Sequence, residues 1–195
     1  MFSLRSALGI IIRPPNHCWQ KKIDSTIRRF GKAPSSGKMN TVFVYGTLKK
    51  GQPNHHYMID GSKGSGMYYG KGRTQQKYPL VIAGKNNIPF LLNLPTIGHK
   101  ILGEIYLVDD QLLEFLDEFE NCPDVYQRNS VRVQVLEWDN KDSKPDVKPD
   151  EDGTLMCFLY NTKFYEEDWL NLPYYDDYDP FGNHEQPKYI LREAR

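Results

Sequence analysis

Cysteine is scarce in this chain and has no obvious pairing: Cys18, Cys122 and Cys157 are odd in number and far apart. They supply neither a disulfide framework nor the CxxC spacing of a metal site, and a reducing compartment suits them best. Long apolar runs are missing too. Ala7-Leu8-Gly9-Ile10-Ile11-Ile12 is too short to span a bilayer, and no secretory signal with a cleavage site is visible. An excess of either charge is also lacking, since 25 Lys and Arg balance 25 Asp and Glu. Nothing in that total favours nucleic acid or a membrane surface, and the aromatics are not interleaved with a basic patch. There is no Gly-x-Ser-x-Gly elbow, Cys–His pair, Walker A loop or dinucleotide fingerprint. His55 and His56 are adjacent and have no partners at metal spacing. Covalent catalysis, metal chemistry and nucleotide binding are therefore not expected.

The balanced charge hides an asymmetry. Residues 1–38 hold eight Lys and Arg but a single acid, Asp24, whereas the remainder is acidic. Two regions are expected: a basic extension over 1–38 and a folded domain over 39–195. The extension is rich in Arg, Lys and Ser, as a mitochondrial transit peptide would be, but Pro14-Pro15 and Pro34 interrupt its amphipathic pattern. A disordered extension, or a leader upstream of Met39, is the other reading. A cytoplasmic protein is expected, with a mitochondrial location if residues 1–38 act as a targeting segment.

After Met39 short β-prone runs alternate with glycine and proline. They predict strands over 41–46, 67–72, 78–83, 88–93, 101–108, 130–138 and 154–160. Ser130-Val-Arg-Val-Gln-Val-Leu136 alternates cleanly, so one face is buried. One helix is predicted over 111–120, capped by Asp109 or Asp110, with Leu112, Leu113, Leu116 and Phe119 as an apolar stripe and Pro123 as its stop. Residues 139–153 are too polar to bury and read as a mobile charged loop; the chain from Asn161 reads as irregular. Many strands with one helix argue for a mixed α/β (α+β) domain built on a small barrel rather than a doubly wound sheet.

Two segments could carry chemistry. Thr41-Val-Phe-Val-Tyr45 is a strand that breaks at Gly46-Thr47-Leu48. Glycine there permits a sharp turn or close approach to a ligand, and such a turn can present N–H groups to a carboxylate or oxyanion. An ordinary strand-to-loop transition is the plain alternative. Glu120 follows Leu113 and Leu116 at i+7 and i+4, which sets its carboxylate on the apolar side of the helix, near the negative end of the dipole. Desolvation and the dipole both disfavour the charged form, as a general base requires. Pairing with Arg128, or plain solvation, is the alternative for Glu120. Asp117 and Glu118 read as the solvated face. Tyr126 could orient a carboxylate or simply pack. The Gly61–Gly72 stretch is best read as loop flexibility.

Taken together, Tyr45-Gly-Thr-Leu48 with Lys-Lys-Gly-Gln-Pro-Asn-His55, Tyr78-Pro-Leu-Val-Ile-Ala-Gly84, Asn87-Ile-Pro89, Gly103-Glu-Ile-Tyr106, Leu116-Asp-Glu-Phe-Glu120 and Cys122-Pro-Asp-Val-Tyr-Gln-Arg128 resemble the gamma-glutamylamine cyclotransferases. These belong to the wider gamma-glutamylcyclotransferase (AIG2-like) superfamily. The resemblance covers about residues 39–195. It implies a small β-barrel flanked by a few helices, a substrate-binding turn at Tyr45, Gly46, Thr47 and Leu48, and a catalytic glutamate at Glu120, with Tyr126 in support. It also implies action on a small γ-glutamyl compound, such as γ-glutamyl-ε-lysine; a monomer is expected, with no cofactor or metal, nucleic acid or membrane. The products would be 5-oxoproline and a free amine. Preference for γ-glutamyl-α-amino acids, or a binding protein on the same fold, are the alternatives.

Overall fold

The computed structural model describes residues 38–139, 147–182 and 185–190. The basic extension, apart from Lys38, lies outside the described residues. Among the described residues there are seven strands: β1 (Asn40–Val44), β2 (Gly66–Tyr78), β3 (Leu80–Ala83), β4 (Ile88–Leu91), β5 (His99–Val108), β6 (Gln127–Trp138) and β7 (Thr154–Asn161). Two α-helices, α1 (His56–Ile59) and α2 (Asp110–Phe119), and a 3-10 turn over Glu167–Asn171 complete the elements. Five strands close into a barrel in the order β1-β5-β2-β6-β7, while β3 and β4 form a separate hairpin. The barrel is antiparallel except at its seam, where β1 runs parallel to β7 with Val42 opposite Phe158.

The barrel explains why Val42, Phe43 and Val44 are all apolar although strand side chains alternate. Phe43 points into the barrel with Ile105, Val133 and Leu159, whereas Val42 and Val44 pack outward against Leu112 and Leu116 of α2. Both faces of β1 are therefore dry. On α2 the buried residues are Leu112, Leu113 and Leu116. Each contributes about 1.5–3 kcal/mol by leaving water. Asp109 caps α2, its carboxylate accepting from Leu112 N at 2.8 Å.

Several expectations need correction. The run 78–83 is two strands, because Pro79 lies between the end of β2 and the start of β3. Gly66, Gly70 and Gly72 lie within β2 rather than in a flexible loop. Helix α2 ends before Pro123: Asn121 adopts φ 50°, left-handed backbone in which the helix cannot continue. Part of the 139–153 loop lies outside the described residues, but Val147 packs against the core and Asp150–Gly153 forms a hydrogen-bonded turn. Beyond Asn161 the chain is not wholly irregular, since it contains the 3-10 turn and a pinned segment over 185–190. No helix among the described residues is long and apolar enough to cross a membrane.

Candidate functional site

The end of β1 is where the barrel interior meets the layer beneath α2. Tyr45 belongs to the inner cluster and Leu48 to the outer one, so the turn between them is held at both ends. Lys49 N donates to Gly46 O at 3.1 Å, closing the turn. Asn54 grips Thr47 twice, its amide N donating to Thr47 O and its Nδ2 to Thr47 Oγ1, both at 2.9 Å. Lys49 Nζ pairs with Asp177 and donates to Tyr178 O at 3.0 Å. Gly46 is required by its neighbour, since a Cβ there would sit 2.9 Å from Pro89 Cγ. Among the described residues the amides of Gly46, Thr47 and Leu48 donate to no other group. Three donors in one turn make a place for an anionic oxygen.

The turn and the end of α2 open onto one cavity of about 420 Å³. Tyr45, Gly46, Thr47, Leu48, Glu120 and Tyr126 all line it. The two candidate segments thus lie together. Glu120 occupies the C-cap of α2, its N–H donating to Leu116 O at 3.0 Å. Tyr45 faces it: burial raises the Tyr45 pKa well above its usual value, and the Glu120 charge pushes in the same direction. The phenol therefore stays protonated and donates to Tyr160 O at 2.7 Å.

Arg128 takes a different partner from the one proposed for Glu120. Its Nη1 lies 2.8 Å from Asp117 Oδ2, and Tyr160 Oη donates to Asp117 Oδ1 at 2.7 Å. Asp117 is therefore not on a solvated face: a turn before Glu120, it ties α2 to β6 and β7. Tyr126 is buried, stacks on Phe90 and donates its hydroxyl to Pro89 O at 3.0 Å. It braces the Ile88–Pro89 wall of the cavity.

Sequence reasoning missed Asn54, Tyr57, Asn121, Tyr160 and Tyr189, all of which line the cavity. No local pattern marks them; Asn54 alone stood in a conspicuous segment, Gln52-Pro-Asn-His55. His55 is another anchor of that loop. Its Nε2 sits 3.0 Å from Tyr106 Oη, which donates to Glu104 Oε2 at 2.9 Å, while Lys50 N donates to the same carboxylate oxygen at 2.8 Å.

Desolvation holds the His55 pKa below its ordinary 6.5; the facing Glu104 opposes this, while Lys50 and His56 add to it. The unfolded chain thus takes up this proton first. Its contribution to stability is complete above the unfolded value and declines as the pH falls through that value toward the folded one. A His55→Gln variant should lose less stability than the parent between pH 7.5 and 5.5 in urea titrations. Equal losses would remove His55 from this role.

Comparisons with known proteins show the family and the fold. The family described as "Gamma-glutamyl cyclotransferase, AIG2-like" matches residues 42–180. The chain belongs to this family. Gamma-glutamylaminecyclotransferase of Bos taurus is 49% identical over 165 residues, 85% of this chain and 90% of the relative. The protein of that name from Mus musculus is 51% identical over 157 residues, 80% of this chain and the whole of the relative. The crystal structure of an AIG2-like protein from Mus musculus superposes with a TM-score of 0.70 at 50% identity, covering 80% of this chain and 99% of the other. The family is one of enzymes, and the barrel with few helices is its fold.

Proposed function

We propose that this protein is a gamma-glutamylamine cyclotransferase that releases 5-oxoproline and a free amine, with Glu120 as general base. The observation that carries this reading is the meeting of the Tyr45–Leu48 turn and Glu120 on one cavity. The names of its relatives from Bos taurus and Mus musculus support the same activity.

The substrate carries its own nucleophile. Its α-amine is protonated at neutral pH, and the Glu120 carboxylate removes a proton. The freed nitrogen attacks the γ-carbonyl carbon, forming the new C–N bond and an oxyanion. The unpartnered amides of Gly46, Thr47 and Leu48 suit that oxygen, or the α-carboxylate of the γ-glutamyl group. Collapse of the intermediate breaks the original amide C–N bond; the departing nitrogen takes the proton held by Glu120, and the second proton, shed by the ring nitrogen, passes through the same carboxylate to the amine, which leaves as its ammonium. Holding the flexible γ-glutamyl chain in its folded, attacking conformation is the protein's main contribution.

Selectivity follows from the lining. Among the described residues Glu120 is the one charged side chain on the cavity wall. A γ-glutamyl-α-amino acid would bring a second carboxylate next to the scissile amide, where the like charge of Glu120 disfavours it. An amine adds no such charge. Release of 5-oxoproline from γ-glutamyl-ε-lysine and γ-glutamyl alkylamines should exceed that from γ-glutamyl-α-amino acids by about 100-fold in kcat/KM. Preference for the amino acids would overturn the amine reading. Binding of 5-oxoproline with no turnover of any γ-glutamyl compound would mark a binding protein instead.

A further inference from the structure

We propose that Tyr189, on the C-terminal segment 185–190, forms the wall that receives the leaving amine and sets the preference for long-chain amines. The proposal rests on the cyclotransferase reading and adds a residue beyond the family match, which ends at residue 180.

Tyr189 lines the cavity, although nothing in its sequence neighbourhood suggests a site. The segment that carries it is fastened along its length. Gln186 is buried; its Nε2 donates to Asp177 O and its Oε1 accepts from Asp179 N, both at 2.8 Å. Tyr189 N donates to Pro180 O at 2.9 Å. Asn87 Nδ2 donates to Lys188 O at 2.9 Å, and Ile190 exchanges hydrogen bonds with Asn86 at 3.0 and 3.1 Å. The segment is thereby laid against the β3–β4 turn, whose next residues, Ile88 and Pro89, also line the cavity. Three side chains from two distant parts of the chain make one wall.

Pro89 meets the turn at Gly46, so the wall starts beside the γ-glutamyl group, and its continuation at Tyr189 is assigned to the leaving amine. The turn and Glu120 provide for the reacting atoms; Tyr57, Ile88, Phe119, Val125 and Tyr189 provide apolar and aromatic surface on the same cavity. Methylene groups of an extended amine suit such surface, and a tyrosine adds a ring face for a distal ammonium and a hydroxyl for a polar tip. A methylamine leaving group would be too short to use it. Tyr189 is thus a specificity residue for the substrate's remote end.

The test compares γ-glutamyl-ε-lysine with γ-glutamyl-methylamine on the full chain and on Tyr189→Ala. The variant should lose about tenfold more kcat/KM on the long compound than on the short one, mostly through KM. Should Tyr189→Ala unfold, Tyr189→Trp decides: the larger ring narrows the wall and again penalises the long compound selectively. Equal losses on the two compounds, or none on either, overturn the proposal. Calorimetric binding of the same compounds separates it from the catalytic reading. A Tyr189→Ala defect confined to binding of the long compound, in a protein that turns over neither, would sustain the wall and sink the cyclotransferase. Intact turnover without selective loss would do the reverse.

Discussion

Replacing Glu120 by glutamine should lower kcat by about 10³-fold, with little change in KM or in the thermal midpoint. The substitution keeps size and hydrogen-bonding capacity but cannot take a proton from the attacking amine, and removal of a positioned general base costs about 10²–10⁴-fold. The C-cap of α2 is made by the Glu120 N–H, which the substitution leaves in place. The ion pair that ties down this end of α2 belongs to Asp117 and Arg128. Rates of 5-oxoproline release, followed alongside thermal unfolding, check this. Retention of parental kcat in a folded Glu120→Gln protein would falsify the role assigned to Glu120. Glu120→Asp, whose carboxylate is drawn back by one methylene, should fall between the two, since placement as well as basicity matters.

Gly103→Ala should cost about 3 kcal/mol of stability and damage activity with it. Gly103 lies on β5 against β1: an added Cβ would be 2.4 Å from Val44 O and 2.6 Å from Phe43 Cζ. Neither atom can yield cheaply. Phe43 fills the barrel, and Val44 O is held in the β1–β5 ladder opposite Glu104. Overpacking of this kind costs about 1–3 kcal/mol, and more where backbone must move. Val44 immediately precedes Tyr45, so any outward shift of β1 carries the turn away from Glu120. A displacement near 1 Å at a reacting site costs about 10²-fold. Urea unfolding and steady-state kinetics on the same preparation should therefore both show losses. A variant within about 0.5 kcal/mol of the parent would mean that β1 and β5 have slack the close contacts do not suggest.

Much of the fold was legible because it is written in local periodicity. The β1 run, the clean alternation in β6 and the leucine stripe of α2 each depend on a side chain's spacing to its near neighbours. Boundaries were less legible where a residue's effect depends on its surroundings: Asn121, not Pro123, ends α2, and Pro79 divides a run that reads as continuous. Asp117 shows the limit most clearly. By spacing it belongs to the polar face of an amphipathic helix. The barrel brings Arg128 and Tyr160 to that face, and a carboxylate expected in water becomes a tie between three elements.

The same division runs through the site. Sequence alone determined that a strand breaks into Tyr45-Gly-Thr-Leu48 and that Glu120 leans to the apolar side of a helix, because both facts are set within a few residues. Only the tertiary structure decided that these two segments share a cavity. It also decided that the cavity holds no cation among its described lining, and that Pro89 and Tyr189, distant in the chain from the turn and from α2, join that lining. Those outcomes depend on barrel closure, on the β1–β5 register and on the fastening of the C-terminal segment to the β3–β4 turn. Each joins residues far apart in the chain, and no short-range pattern encodes such a contact.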